Sequence, residues 1–321
     1  MLNFRVFTMV IIVLLVVSLI NSEAIYAEND KESLVMKMKP ITDTIISGGP
    51  CVLKFTFTNT EASKVTLDLE LYGCRTEGFY FEMINEKNEQ VAKNFDILGE
   101  GGIGIGREIE IYPGKSTELK LILNQWCSTL LPQGKYKVIS YYESFRSWSR
   151  RKRRDDKEFK PITSTPRSEC QIEILPSNKQ NQKKLQEIFS DLLDKAITDT
   201  DEKPIPPDEQ MFAAEQLAYS TSPLVVPYLA KLLSSDTFFS TTLSMEIIEG
   251  FRRVGTVEAA EELVKIIKGK TPPNLSEESF KEKVVLEIFR LSDISKDPEV
   301  IKICTEVTTT MPRPKEKQTV D

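Results

Sequence analysis

Val52-Leu53-Lys54-Phe55-Thr56-Phe57-Thr58 sets Leu53, Phe55 and Phe57 on one side of an extended chain and Lys54, Thr56 and Thr58 on the other. A period of two marks a strand with one face in a core and the other in water. Upstream, Leu34-Val35-Met36-Lys37-Met38 repeats the pattern, and Ser47-Gly48-Gly49-Pro50 supplies the turn between the two. Downstream, after Asn59–Ser63, Val65, Leu67, Leu69 and Leu71 alternate with Thr66, Asp68 and Glu70. Phe79–Met83 and Glu89–Ala92 flank Asn85-Glu86-Lys87-Asn88, which reads as a hairpin. Further strands are expected at Glu108–Ile111, Glu118–Leu123, Tyr136–Tyr142 and Gln171–Leu175, which makes eight or nine. Short strands with regular turns predict an antiparallel β-sandwich over residues 28–176.

After Pro176-Ser177-Asn178 the period becomes helical. Leu185, Ile188, Phe189, Leu192, Leu193 and Ile197 form a single apolar stripe. Thr198–Pro207 is a linker, and an internal repeat follows. Leu217–Leu233 aligns with Phe251–Ile267 at an offset of 34, bringing Leu217, Val226, Leu229, Leu232 and Leu233 onto Phe251, Ala260, Leu263, Ile266 and Ile267. A less regular third copy runs through Val284–Leu291 and Asp297–Cys304. Each copy is a helix, a short turn and a second helix, with Pro223, Gly255 and Pro298 as the punctuation. The apolar stripes are core, Cys304 belongs to the packed face of the last helix, and residues 312–321 form a disordered Pro- and charge-rich tail.

Two resemblances follow from these stretches. Ile111-Tyr112-Pro113-Gly114-Lys115-Ser116, with Leu131-Pro132-Gln133-Gly134-Lys135-Tyr136-Lys137-Val138, resembles the end of bacterial extracellular Ig-like domains. Bacterial proteinase-inhibitor-like sandwiches end in a similar way. The repeat in residues 177–311 resembles short bacterial HEAT-like repeats, departing in the longer loop Gly269–Ser276 and the weak third copy. Together they imply a multidomain chain, all-β then all-α: an Ig-like sandwich followed by an α/α HEAT-like solenoid. If the strands run as in an Ig sandwich, Cys51, Cys74 and Cys127 gather at one end, and Cys170 begins the last strand at the other. The bridge this favours is Cys74–Cys127, both in loops, against the alternative that every thiol is reduced. No pair has C-x-x-C spacing, so no zinc or redox motif is indicated.

The N-terminus carries Arg5 and then Met9–Ile20, twelve residues with one polar member. Ser22, Ala24 and Ala27 follow, the pattern of a signal peptide over residues 1–27 cleaved after Ala24 or Ala27. Retention as an anchor is the alternative, although the run is shorter than the ~20 residues a span needs. An exported protein, periplasmic or secreted, with no membrane span after cleavage is expected.

The chain of 321 residues has no histidine. Ser-His-Asp and Cys-His nucleophiles, His-dependent zinc hydrolysis and His proton shuttling are therefore excluded. Gly99-Glu100-Gly101-Gly102-Ile103-Gly104 matches G-x-G-x-x-G without the strand-then-helix setting that would make it a nucleotide site. No catalytic residue, metal or cofactor is assigned, and no enzyme is expected.

The loop 143–169 stands out by charge. Between Arg146 and Lys160 it holds eight basic and three acidic residues in a protein of net charge −6. Arg146, Trp148, Arg150, Arg151, Lys152, Arg153 and Arg154 are its candidate anion- or partner-binding residues, suited to bidentate contacts with phosphate or a polyanionic surface polymer. The plain alternative is a long solvated insertion. The leading expectation is a scaffold or adaptor that engages another protein through its helical repeats. Polyanion binding or protease inhibition through 146–160 is the alternative.

Overall fold

The computed structural model describes residues 34–72, 75–76, 78–93, 105–126, 132–142, 166–197, 206–235, 239–269 and 276–314. Eleven strands lie among them: β1 (Leu34–Pro40), β2 (Thr44–Ile46), β3 (Val52–Asn59), β4 (Val65–Tyr72), β5 (Arg75–Thr76), β6 (Phe79–Asn85), β7 (Gln90–Lys93), β8 (Ile105–Ile111), β9 (Ser116–Ile122), β10 (Gly134–Tyr142) and β11 (Arg167–Leu175). They form three sheets, ordered β1-β3-β9, β2-β11-β10-β6-β7 and β5-β4-β8. The alternating residues meet as their period requires. Leu34, Met36 and Met38, then Leu53, Phe55 and Phe57, face Phe79, Phe81, Met83, Tyr136, Val138 and Tyr142 in one buried cluster. Met38 N, on β1, donates to Ser168 Oγ, on β11, at 2.9 Å and ties the first sheet to the second.

Three expectations need correction. The sandwich is not wholly antiparallel: β2 runs parallel to β11, with Thr44 opposite Glu173 and Ile46 opposite Leu175. Three residues carry too short a pattern to be read as a strand, and only the neighbouring edge of β11 makes one of them. Cys170 does not begin the last strand, because β11 pairs with β10 from Arg167 onward and sets Cys170 opposite Val138. Ile188, expected on the apolar stripe of its helix, is 40% exposed. No disulfide links any two of the described cysteines Cys51, Cys170 and Cys304, while Cys74 and Cys127 lie outside the described residues.

Seven α-helices follow among the described residues: α1 (Lys179–Ile197), α2 (Pro207–Ala218), α3 (Val226–Ser234), α4 (Thr241–Val254), α5 (Val257–Ile267), α6 (Glu277–Ile294) and α7 (Pro298–Thr308). Local chemistry sets their ends. Ser240, Thr256, Ser276 and Asp297 cap α4, α5, α6 and α7 by accepting backbone N–H groups that have no partner inside the helix. Gly255, at φ +68°, ends α4 in the left-handed region that favours glycine. The first helices of the hairpins, α2, α4 and α6, adjoin in one row, and α3, α5 and α7 adjoin in another. Between the rows Leu217, Leu229, Phe251, Leu263, Ile288 and Cys304 are buried in a common core, and α1 covers one end with Leu185 and Phe189.

Candidate functional site

The two rows present different outer faces. On α3, α5 and α7 the outward residues are exposed and mostly polar, among them Lys231, Glu261, Lys265, Lys302 and Glu306. On α2, α4 and α6 the middle of the row is half-buried, at Met211, Glu246, Glu249, Lys283 and Phe289 among others, while Asp208, Glu209, Thr241, Thr242, Lys281 and Glu282 nearer the helix starts are exposed. Phe212 on α2 and Leu286 on α6 are half-buried beside this row, whereas Met211, Met245 and Phe289 pack against the helical core, with the Arg313 guanidinium 5.4 Å from the Phe289 ring centroid.

Between those apolar groups runs a chain of ion pairs. Glu287, on α6, is fully buried on the α4 side. It accepts from Arg252 Nε at 2.5 Å and Arg290 Nη1 at 2.9 Å, and lies 3.3 Å from Lys283 Nζ. Lys283 also bonds Glu249, which lies 3.3 Å from Arg253 Nη1 and 3.6 Å from Arg252 Nη2. Arg253 Nη2 donates to Glu246 O of its own helix at 2.7 Å and crosses to the end of α2, donating to Ala218 O at 3.0 Å with its guanidinium 4.5 Å from the centroid of the Tyr219 ring. Burial pushes the Glu249 carboxyl up, but Lys283, Arg253 and Arg252 outweigh it and hold the group below its ordinary range. Burial opposes the charge on Arg253, and Glu246, Tyr219 and Glu249 more than restore it. The ladder spans three consecutive first helices, so the row is fixed by directional bonds as well as by packing.

The residues singled out in the sequence fall elsewhere. Arg146, Trp148, Arg150, Arg151, Lys152, Arg153 and Arg154 lie outside the described residues, as does Gly99–Gly104. The ladder went unread, although its signal is in the repeat. Ala218 and Arg253 are 35 apart, Glu249 and Lys283 are 34 apart, and Arg252 and Glu287 are 35 apart. The offset that aligned the apolar positions also sets these charges side by side.

Among the described residues no group of three Asp, Glu or Cys side chains is placed to hold a metal. No helix among them is long and apolar enough to cross a membrane. Cys170 and Cys304 are free thiols that burial pushes up to about 11, far from the thiolate a nucleophile needs.

No protein-family model matches the chain, and no curated protein matches it. Solved structures do. A CARDB domain from Pyrococcus furiosus is similar at 8% identity over 44% of this chain and 94% of that one, with a TM-score of 0.23. The sporulation control protein Spo0M of Bacillus subtilis is similar at 9% identity over 51% of this chain and 54% of that one, TM-score 0.24. The alkylpurine DNA glycosylase AlkC of Pseudomonas fluorescens is similar at 9% identity over 45% of this chain and 31% of that one, TM-score 0.23. These likenesses concern fold alone. The strands and helices described above by themselves give an N-terminal β-sheet domain followed by a seven-helix region among the described residues.

Proposed function

We propose that this chain is an exported, non-enzymatic interaction scaffold whose HEAT-like helical repeats grip a segment of another protein on the α2/α4/α6 face. The observation that carries the reading is the asymmetry between the two rows. The α3/α5/α7 face is exposed and mostly polar, while the middle of the α2/α4/α6 face is half-buried, with Phe212 and Leu286 beside charges already paired to one another and Met211, Met245 and Phe289 packed onto the core beneath them. A stack of helical hairpins curves so that its inner row offers an extended binding surface. Apolar anchors rimmed by paired charges are what a protein interface uses, and methionine adapts its shape to the partner. The apolar run Met9–Ile20 supports export.

The test is affinity capture from the native envelope with three full-length baits: the unmodified chain, Met245→Asp/Leu286→Asp, and Arg150–Arg154 changed to Ser. The scaffold reading expects one partner held by the unmodified chain and the loop variant, and bound about tenfold or more weakly by the face variant. The second reading, a polyanion- or protease-directed loop, rests on the eight basic residues between Arg146 and Lys160. It expects capture to vanish with the loop variant and to weaken steeply with salt. Turnover of an ester, glycoside or peptide substrate by the purified chain would overturn both.

A further inference from the structure

We infer that the β2–β3 turn is a clasp which makes the helical region unfold together with the sandwich, so that the two act as one cooperative body. This is independent of the binding reading. Ser47 N donates to Leu175 O at 3.0 Å, continuing the ladder that β2 makes with β11. The next residue leaves the sandwich, and Gly48 O accepts Thr221 N at 2.9 Å and Ser222 N at 3.0 Å, at the start of the second half of the first hairpin. Gly48 has φ +83°, and a Cβ there would lie 2.8 Å from the Cα, Cβ and N of Ser222. Gly49 faces α1, where a Cβ would lie 2.8 Å from Leu185 Cδ1, the movable end of a side chain, and 3.1 Å from Ile46 O. Ile46, a strand residue of the sandwich, is packed in the core of the helices. Asn124 locks the turn from behind: its Oδ1 accepts Cys51 N at 2.7 Å and its Nδ2 donates to Gly49 O at 3.1 Å.

Two consequences separate a clasp from mere proximity. Gly48 is required by its left-handed backbone and by the approach of the Ser222 backbone, and the helical core is incomplete without a side chain from the sandwich. A perturbation confined to the sandwich therefore reaches the helices through this turn and weakens them too.

The experiment uses urea unfolding of the chain from residue 28, followed by two signals. Trp126 is buried in the sandwich core, so in a chain carrying Trp148→Phe the fluorescence reports the sandwich, and ellipticity at 222 nm reports the helices. Gly114→Val strains a left-handed turn at φ +67° in the sandwich, with nothing else within 4 Å of its Cβ. The clasp expects coincident transitions in the Trp148→Phe chain, and both shifted together to lower urea by Gly114→Val. It expects Gly48→Ala to separate them, with the helices melting first. Separate transitions in the Trp148→Phe chain would overturn the inference, as would a Gly114→Val that moves the fluorescence alone. Both results come without the Gly48 variant, so its failure to fold would not rescue the idea.

Discussion

The sandwich and the helical region bury different chemistry. Among its described residues the sandwich buries no charged side chain. Its centre is a set of aromatic rings, Phe55, Phe57, Phe79, Phe81, Trp126 and Tyr142, meeting edge-to-face, tilted or stacked at centroid distances of 4.8 to 6.4 Å. The helical region buries Glu287 completely and crowds cations around it. A sheet face is apolar on one side and solvated on the other, so its charges have no reason to enter the core. A row of helices brings outward faces within side-chain reach of one another, and charges 34 or 35 residues apart become neighbours. The first arrangement is non-directional and insensitive to salt and pH. The second is directional and titrates.

That contrast can be broken by substitution, most severely in the sandwich. Phe55→Ala removes a fully buried ring that touches three others and should cost about 3–5 kcal/mol, read as a lower urea midpoint that salt leaves unchanged. Glu287→Ala comes next. It strands Arg252, Lys283 and Arg290 without their shared acceptor and should cost about 3 kcal/mol, the low end for a broken buried pair because those cations keep some water contact. A Glu287→Ala chain that melts with the unmodified one would mean the ladder is decorative.

Acid sharpens the comparison. The Glu249 carboxyl is held below its ordinary range in the folded chain, so it binds protons less readily folded than unfolded. Its contribution is complete above the unfolded value of about 4.3 and is lost as pH falls through the lower folded value. Glu249→Gln should therefore give a shallower fall of the urea midpoint from pH 5 downward than the unmodified chain. The Glu169 carboxyl of the sandwich, lowered chiefly by its hydrogen bond from Lys137, is solvated, and Glu169→Gln should leave that fall unaltered. Equal slopes for the two variants would erase the distinction.

Alkali should not tell the regions apart, because each carries one thiol pushed up to about 11 by burial. Unfolded thiols ionise near about 8.5, so folded stability declines as pH rises from there toward 11. At pH 8, peptide mass spectrometry after iodoacetamide should find Cys170 and Cys304 unmodified until urea unfolds the chain. The smallest effect belongs to the sandwich surface. Lys64→Ala removes an exposed pair with Glu110 at 2.5 Å and should leave the midpoint where it was.

Much of the fold is legible before any coordinates. Leu53, Phe55 and Phe57 are each at 0% exposure, as their alternation demands, and Leu217 with its repeat partner Phe251 are both fully buried. Ile188 misled because a stripe at i, i+3 and i+4 is wider than the part of α1 its neighbours cover, and the outermost position is left in water. The candidate face was half legible. Its apolar anchors and its charges follow the same offset as the core, but reading the repeat only for hydrophobic matches passed over Glu249 with Lys283 and Arg252 with Glu287.

By itself the sequence determined where the period changes from two to helical, which residues of each element turn inward, and that histidine chemistry is absent. Those properties are local or compositional, set by which way successive side chains point along a strand or helix. Only the tertiary structure decided that Thr44–Ile46 is a parallel strand, that Gly48 and Gly49 are pressed between two regions, and that Glu287 is an interior charge. Each of these depends on a partner far along the chain: the edge of β11, the backbone of Ser222, the side chain of Arg252. No pattern within a few residues of a site encodes what will be packed against it.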